Sequence, residues 1–311
     1  MEIKISDVLK NKKHQLLAKA SPSDKIYQSI TPADAGWTYL SFEARTMQSG
    51  DEWSGFTGNY EYLFVLLGGN FKAVTSEGKW ETRNGRKDVF KGLPHALYLP
   101  KNSEFKIIPS GGYLDIACGW CVAEKIYPAR LINPDDVVNM KIEFRGGDNA
   151  SRQINRILPP GSECNRLVCV EVYTPSGNWS SFPAHKHDTR KTDPVTGDLL
   201  EASLEEIYFY KIDKPQGFAF QKVYTDDRSL DEIMEVHNND IVLVPKGYHP
   251  VIAGHGYNVY YLNFLAGSDQ SLCNTDDPDH KWIYGTWKGM DPRIPLVTRR
   301  MNDKKNKEIG K

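Results

Sequence analysis

The feature that most restricts the fold of this chain is its procession of short apolar runs rich in aromatic and β-branched residues. Among them are "GWTYLSFEA", "YEYLFVLL", "ALYLP", "LVCVEVYTP", "EIYFYKI", "DIVLVP" and "YNVYYLNFLA". Gly, Pro, Asn and Asp punctuate them, as turns between strands require. Apolar residues recur with a helical period in only two places, "SDVLKNKKHQLLAKA" near the N-terminus and "SLDEIMEV" from Ser229. Such a chain buries its apolar faces by packing or closing sheets, so the expected class is an all-β sandwich or barrel with few short helices.

The runs also repeat. "EYLFVLLGGNF" from Glu61 matches "EIYFYKIDKPQGF" from Glu206, and "ALYLPK" matches "DIVLVPK". The separation from Glu61 to Pro100 is 39 residues, the same as from Glu206 to Pro245. Shared strand chemistry at shared spacing predicts two copies of one β-domain, and 311 residues suffice for two cores. Gly, Asn, Ser and Pro cluster in "RGGDNASRQINRILPPGS", which sets the expected division at residues 1–155 and 156–311.

Charge excludes some partners. Lys plus Arg (39) nearly cancels Asp plus Glu (40), leaving no basic patch for nucleic acid. No apolar run approaches a membrane span, and the N-terminus lacks the compact apolar core of a signal peptide, so the chain reads as cytoplasmic. The sequon at Asn178 is then unused, and the five cysteines sit in a reducing compartment. "CGWC" (Cys118, Cys121) follows a strand-like run but precedes no capped helix, which favours ordinary buried cysteines over a redox pair.

The second copy carries chemistry. In "NWSSFPAHKHDT", His185 and His187 are two residues apart, and in an extended strand both side chains share a face. Glu206 opens the strand "EIYFY", and the turn "VPKGYHP" supplies His249. A His-x-His alone arises by chance, and a Glu at a strand start usually faces solvent. Together, three imidazoles and a carboxylate suit one divalent transition metal, zinc or manganese first, with iron, cobalt and nickel also matching the donor types.

His-x-His, a strand Glu and Pro-x-Gly-x-His resemble the two-part signature of the cupin superfamily, and with the repeat they imply a bicupin of two tandem jelly-roll β-barrels. Cupins usually have a shorter gap before the Glu; here "DTRKTDPVTGDLLEASLE" intervenes, leaving Glu205 and Glu206 both as candidates. Glu206 is favoured because it sets Tyr208 and Tyr210 on the same inward face. The first copy keeps Glu61 but has no histidine pair, and Glu104 lies where His249 would align. It is therefore read as a degenerate barrel without metal, with a structural or subunit-interface role; His95 is read as a turn or core residue.

More closely, "NWSSFPAHKHD", "LEEIYFYKIDKPQGFAFQKVYTDDRSLDE", "DIVLVPKGYHPVIAGHGYNVYYLNFLAG", "DPDHKWI" and "DPRIPL" resemble the 5-deoxy-glucuronate isomerase family of bacterial myo-inositol catabolism, from about Arg152 to Leu296. The resemblance implies a metal-dependent aldose–ketose isomerisation of 5-deoxy-D-glucuronate to 2-deoxy-5-keto-D-gluconate, in a homo-oligomer. Such chemistry needs a Lewis acid and a proton carrier. Tyr208, Lys246, Tyr248 and Tyr261 are the candidate carriers; packing or a solvated rim is their ordinary alternative. Arg293, and after it Lys246, are candidates for the substrate carboxylate. A cupin dioxygenase and a non-enzymatic sugar-acid-binding cupin are the competing functions.

Overall fold

Alternating apolar residues do give strands throughout. The computed structural model describes residues 16–21 and 23–303. The first half contains β1 (Leu17–Ala18), β2 (Ile26–Ile30), β3 (Ser41–Gln48), β4 (Trp53–Phe56), β5 (Tyr60–Thr75), β6 (Gly78–Glu81), β7 (Ala96–Leu99), β8 (Glu104–Val122) and β9 (Arg130–Ile132). The second contains β10 (Glu143–Arg145), β11 (Arg152–Leu158), β12 (Val168–Thr174), β13 (Trp179–Ser180), β14 (His185–Lys186), β15 (Asp188–Thr192) and β16 (Leu199–Ile212). It continues through β17 (Ala219–Tyr224), β18 (Asp231–Val236), β19 (Ile241–Val244), β20 (Val251–Ala253), β21 (Val259–Gly267) and β22 (Thr275–Asp276). Described helices are single turns or little more, such as Pro134–Asn139.

Two large sheets share one strand order. The first runs β9-β7-β5-β8-β3-β2, and the second runs β1-β19-β16-β21-β12-β11 with β10 added. A smaller sheet, β13-β20-β17-β18, packs across the second. In the first half, β5 and β8 are long enough to serve both layers themselves, staying paired from Tyr60 opposite Val122 to Thr75 opposite Phe105. The molecule is thus an all-β bicupin.

One end strand is exchanged between halves. β1 precedes the first half but joins the second sheet, with Leu17 opposite Val242. β9 leads toward the second half but closes the first sheet, with Ile132 opposite Ala96. The expected division at 155/156 falls inside β11, all of which pairs in the second sheet.

Both helical expectations need comment. "SLDEIMEV" forms β18, an edge strand that buries Met234 and Val236 and exposes the residues between; over so few residues, periods of two and 3.6 look alike. The N-terminal helical segment lies mostly outside the described residues, and its end is strand β1 rather than helix.

Strand parity sorts most buried apolar side chains of the described residues into three large cores. Tyr208, Tyr210, Val223, Val242 and Val251 fill the second barrel. Phe64, Leu66, Phe105 and Ile107 fill the first, with Tyr62 and Trp120 against them. Leu63, Val65, Ile207, Phe209 and Phe264 form a core between the two large sheets. Phe42 lies there with its ring 5.3 Å from Phe209 and 5.8 Å from Phe264. The sheets approach so closely that a Cβ on Gly119 would lie 2.3 Å from the Phe264 ring, which accounts for the glycine of "CGWC". Cys118 faces the first barrel and Cys121 the core between sheets, both as free thiols whose pKa burial raises.

The same parity corrects the register of the repeat. Glu61 accepts backbone N–H bonds from Asn165, Arg166 and Leu167 of the other half, at 2.6, 2.7 and 3.0 Å. Glu205 does the reciprocal, accepting from Thr38, Tyr39 and Leu40 at 2.5, 2.8 and 2.8 Å. Glu61 therefore matches Glu205, not Glu206, and the place of Glu206 is held by Tyr62. A one-residue slip moves every side chain to the other face.

Candidate metal centre

Glu206 projects into the second barrel because β16 alternates, placing it on the face of Tyr208 and Tyr210 while Ile207 and Phe209 pack between the sheets. β19 ends at Val244 opposite Glu206, and the chain then turns through Pro245, Lys246 and Gly247. Gly247 has φ 89°, and a Cβ there would meet the Tyr224 carbonyl oxygen at 2.5 Å. Only glycine makes this turn without strain, and the turn delivers His249 beside Glu206.

His187, Glu206 and His249 are all buried, with one ligand atom from each lying within 4.8 Å of the others. His187 Nε2 is 2.9 Å and His249 Nε2 is 3.3 Å from Glu206 Oε2. His249 Nδ1–H donates to the Gly247 carbonyl at 2.8 Å, which leaves Nε2 as a bare lone pair. That Nε2 is buried and makes no hydrogen bond among the described residues. A buried acceptor without a donor is costly, and a cation is the partner these converging atoms fit. Two imidazole nitrogens and a carboxylate oxygen are a suitable donor set for a divalent transition metal.

His185, from β14, borders the same cavity, its ring centroid 4.9 Å from that of His249. Burial, with the neighbouring imidazoles behind it, holds His185 neutral, well below the usual histidine range. Burial likewise brings His249 to about 4. Burial opposes protonation of His187 as well, but the Glu206 carboxylate outweighs it and raises that pKa.

The structure separates the other candidates. Tyr208 and Tyr261 line the cavity, which has a volume of about 80 Å³. The Tyr261 hydroxyl lies 2.5 Å from Ser180 Oγ and 3.3 Å from Ser181 Oγ, and the Tyr208 hydroxyl lies 3.1 Å from Ser181 Oγ. Burial raises the pKa of both phenols; Arg152 and the serines counter the rise at Tyr261. Tyr248 turns the other way, donating to Asp226 at 2.9 Å, and Lys246 is exposed on the turn. Arg293 holds Asp291 and donates to the Ser176 carbonyl and Asn178 Oδ1, so it fastens the C-terminal segment. Glu205 faces the opposite side from Glu206, toward the first half.

One residue escaped the sequence reading. Arg152 lines the cavity with Ile154 and Arg156. The signal was the alternation Arg-x-Ile-x-Arg in "SRQINRIL", legible only once that segment is known to be a strand.

In the first barrel the corresponding space is apolar. Tyr62 stacks on Trp120 at 5.4 Å, and Glu104, at the place of His249, is exposed. His95 is buried in the first half, where burial brings it to about 4, as a core histidine.

Comparison with known proteins adds an independent line. Residues 14–283 match the model of the KduI/IolB family. The chain is 42% identical over 257 residues to the 5-deoxy-glucuronate isomerase of Geobacillus thermodenitrificans, covering 82% of this chain and 89% of the relative. It is 37% identical over 261 residues to the enzyme of the same name from Bacillus subtilis strain 168, covering 83% and 93%. Among solved structures, an IolB-like protein from Salmonella typhimurium LT2 superposes with a TM-score of 0.80 at 37% identity, over 86% of this chain and 98% of that one. Oxalate decarboxylase from Bacillus subtilis shares the fold alone, with a TM-score of 0.58 at 8% identity, over 84% and 79%.

Proposed function

Because the chain belongs to the KduI/IolB family, we propose that it is an aldose–ketose isomerase converting 5-deoxy-D-glucuronate to 2-deoxy-5-keto-D-gluconate, a step of myo-inositol catabolism in the cytoplasm. The relatives' isomerase activity sets this reading above a dioxygenase or a non-enzymatic sugar-acid binder. The observation that carries the chemistry is the buried His187–Glu206–His249 cluster with its unpartnered His249 nitrogen.

His187, Glu206 and His249 would hold the ion, with His185 completing the set from β14. A divalent ion there, zinc or manganese first, supplies Lewis acidity toward the substrate's carbonyl and neighbouring hydroxyl. The chain's own residues do the rest. The Gly247 carbonyl fixes the His249 tautomer, so its Nε2 stays available. Tyr261 is the first candidate to carry the proton between neighbouring carbons. Its hydroxyl touches Ser180 and Ser181, and through Ser181 a proton can pass to Tyr208. The buried aromatic walls of the barrel limit water at the site.

The test is turnover of 5-deoxy-glucuronate by metal-analysed protein in D₂O, followed by NMR. Proton transfer through a side chain predicts the keto product with deuterium at the former aldehyde carbon. Full retention of the label from a C2-deuterated substrate would count heavily against the phenol as carrier, and absence of ketose would defeat the isomerase reading.

A further inference from the structure

Three arginines line the cavity of the second barrel, and two of them already share a carboxylate partner. Arg145 and Arg156 both pair with Glu143. Arg152 has no carboxylate partner among the described residues; its hydrogen bond runs from Nη1 to the Phe182 carbonyl at 3.3 Å. Yet it is only 8% exposed. The contrast with Arg86 is instructive, since that fully buried guanidinium pairs with Glu171 at 2.5 Å. Cations are rarely taken from water without an anion to meet them. The side chain lines the same cavity as His185, Glu206 and Tyr261.

Building on the isomerase reading, we propose that Arg152 determines specificity by receiving the substrate's carboxylate, while the opposite, carbonyl end of the sugar acid lies at the His187–Glu206–His249 cluster. A planar fork matches a carboxylate with two parallel N–H···O bonds. The anion would supply the missing counter-charge, so the site is complete only with an acidic sugar in place. Burial already pulls the Arg152 pKa below its ordinary value, a sign of a cation held without a counter-ion. Arg293, the candidate from sequence, is excluded from this role by its contacts with Asp291.

The experiment compares 5-deoxy-glucuronate with its neutral C6 carboxamide on metal-loaded wild type, Arg152→Gln and Arg152→Lys. In Arg152→Gln, KM for the acid should rise about thirtyfold or more, the scale of a lost charge-assisted contact, while KM for the amide changes far less. Arg152→Lys should fall between. Equal losses on acid and amide would show that Arg152 only supports the Phe182 loop, and would overturn the proposal. Thermal unfolding checks the variants, and Arg152→Gln should melt no lower than wild type. If wild type turns over neither sugar, the isomerase reading fails, but calorimetric titration of 5-deoxy-glucuronate still decides the clamp. Binding to wild type that Arg152→Gln abolishes supports it; binding that persists in the variant, or none to wild type, overturns it.

Discussion

His249 condenses the site into a single side chain. Its Nδ1–H is committed to the Gly247 carbonyl, its Nε2 points at Glu206 Oε2, and burial holds it neutral down to about pH 4. A neutral imidazole with one lone pair aimed at a carboxylate is prepared for a cation rather than a proton. We therefore expect His249→Ala to lower bound metal at least tenfold or so, since even outer hydrogen-bonding partners of a ligand cost 10- to 100-fold. Activity should be lost, while circular dichroism stays that of a β-protein because the barrel core is independently apolar. His185→Ala should behave alike; full metal occupancy in that variant would reduce the ligand set to three.

At the scale of elements, β5 and β16 are counterparts that use neighbouring positions for opposite purposes. On the face between halves, Glu61 and Glu205 each gather three backbone N–H groups from the other half. On the barrel face, Tyr62 packs among aromatics where Glu206 meets histidines. Glu61→Gln should thus leave metal content and turnover near wild type but cost about 2–3 kcal/mol of stability, the worth of hydrogen bonds to a charged acceptor. Denaturant unfolding beside metal analysis separates the effects. Glu206→Gln should show the reverse pattern, and a metal loss in Glu61→Gln would contradict the division of labour between the barrels.

The whole molecule is tied together by more than apolar contact. Arg86 of the first half and Glu171 of the second are fully buried, and Tyr173 and Tyr260 complete their network. Removing one partner strands the other charge in the interior, which costs about 3–5 kcal/mol. Arg86→Ala should accordingly lower the midpoint of calorimetric unfolding far more than any surface change, and the halves should begin to unfold separately. A midpoint within a degree or two of wild type would show that the core between the sheets alone holds the halves. The exchanged strand β1 couples them further, since the second sheet is closed by a segment that precedes the first half.

Much was legible in the sequence because it depends on local pattern. Strand after strand follows from period-two alternation, the two-barrel plan from repetition, and the convergence of His187, Glu206 and His249 from the strand Glu and the Pro-x-Gly-x-His turn around Gly247. What alternation cannot supply is register, since its period of two says which residues share a face but not which position faces its counterpart in another copy. Hence Glu61 aligned with Glu206 on equal spacing, while the structure matches it to Glu205. Short amphipathic runs such as Asp231–Val236 were also ambiguous until a partner strand, β17, was available. Finally, whether a charge is satisfied is a property of distant neighbours. Asp291 occupies Arg293, Asp226 draws Tyr248 away, and Arg152 is left buried in the cavity without a carboxylate partner among the described residues, a distinction made by the tertiary fold that brings those groups together.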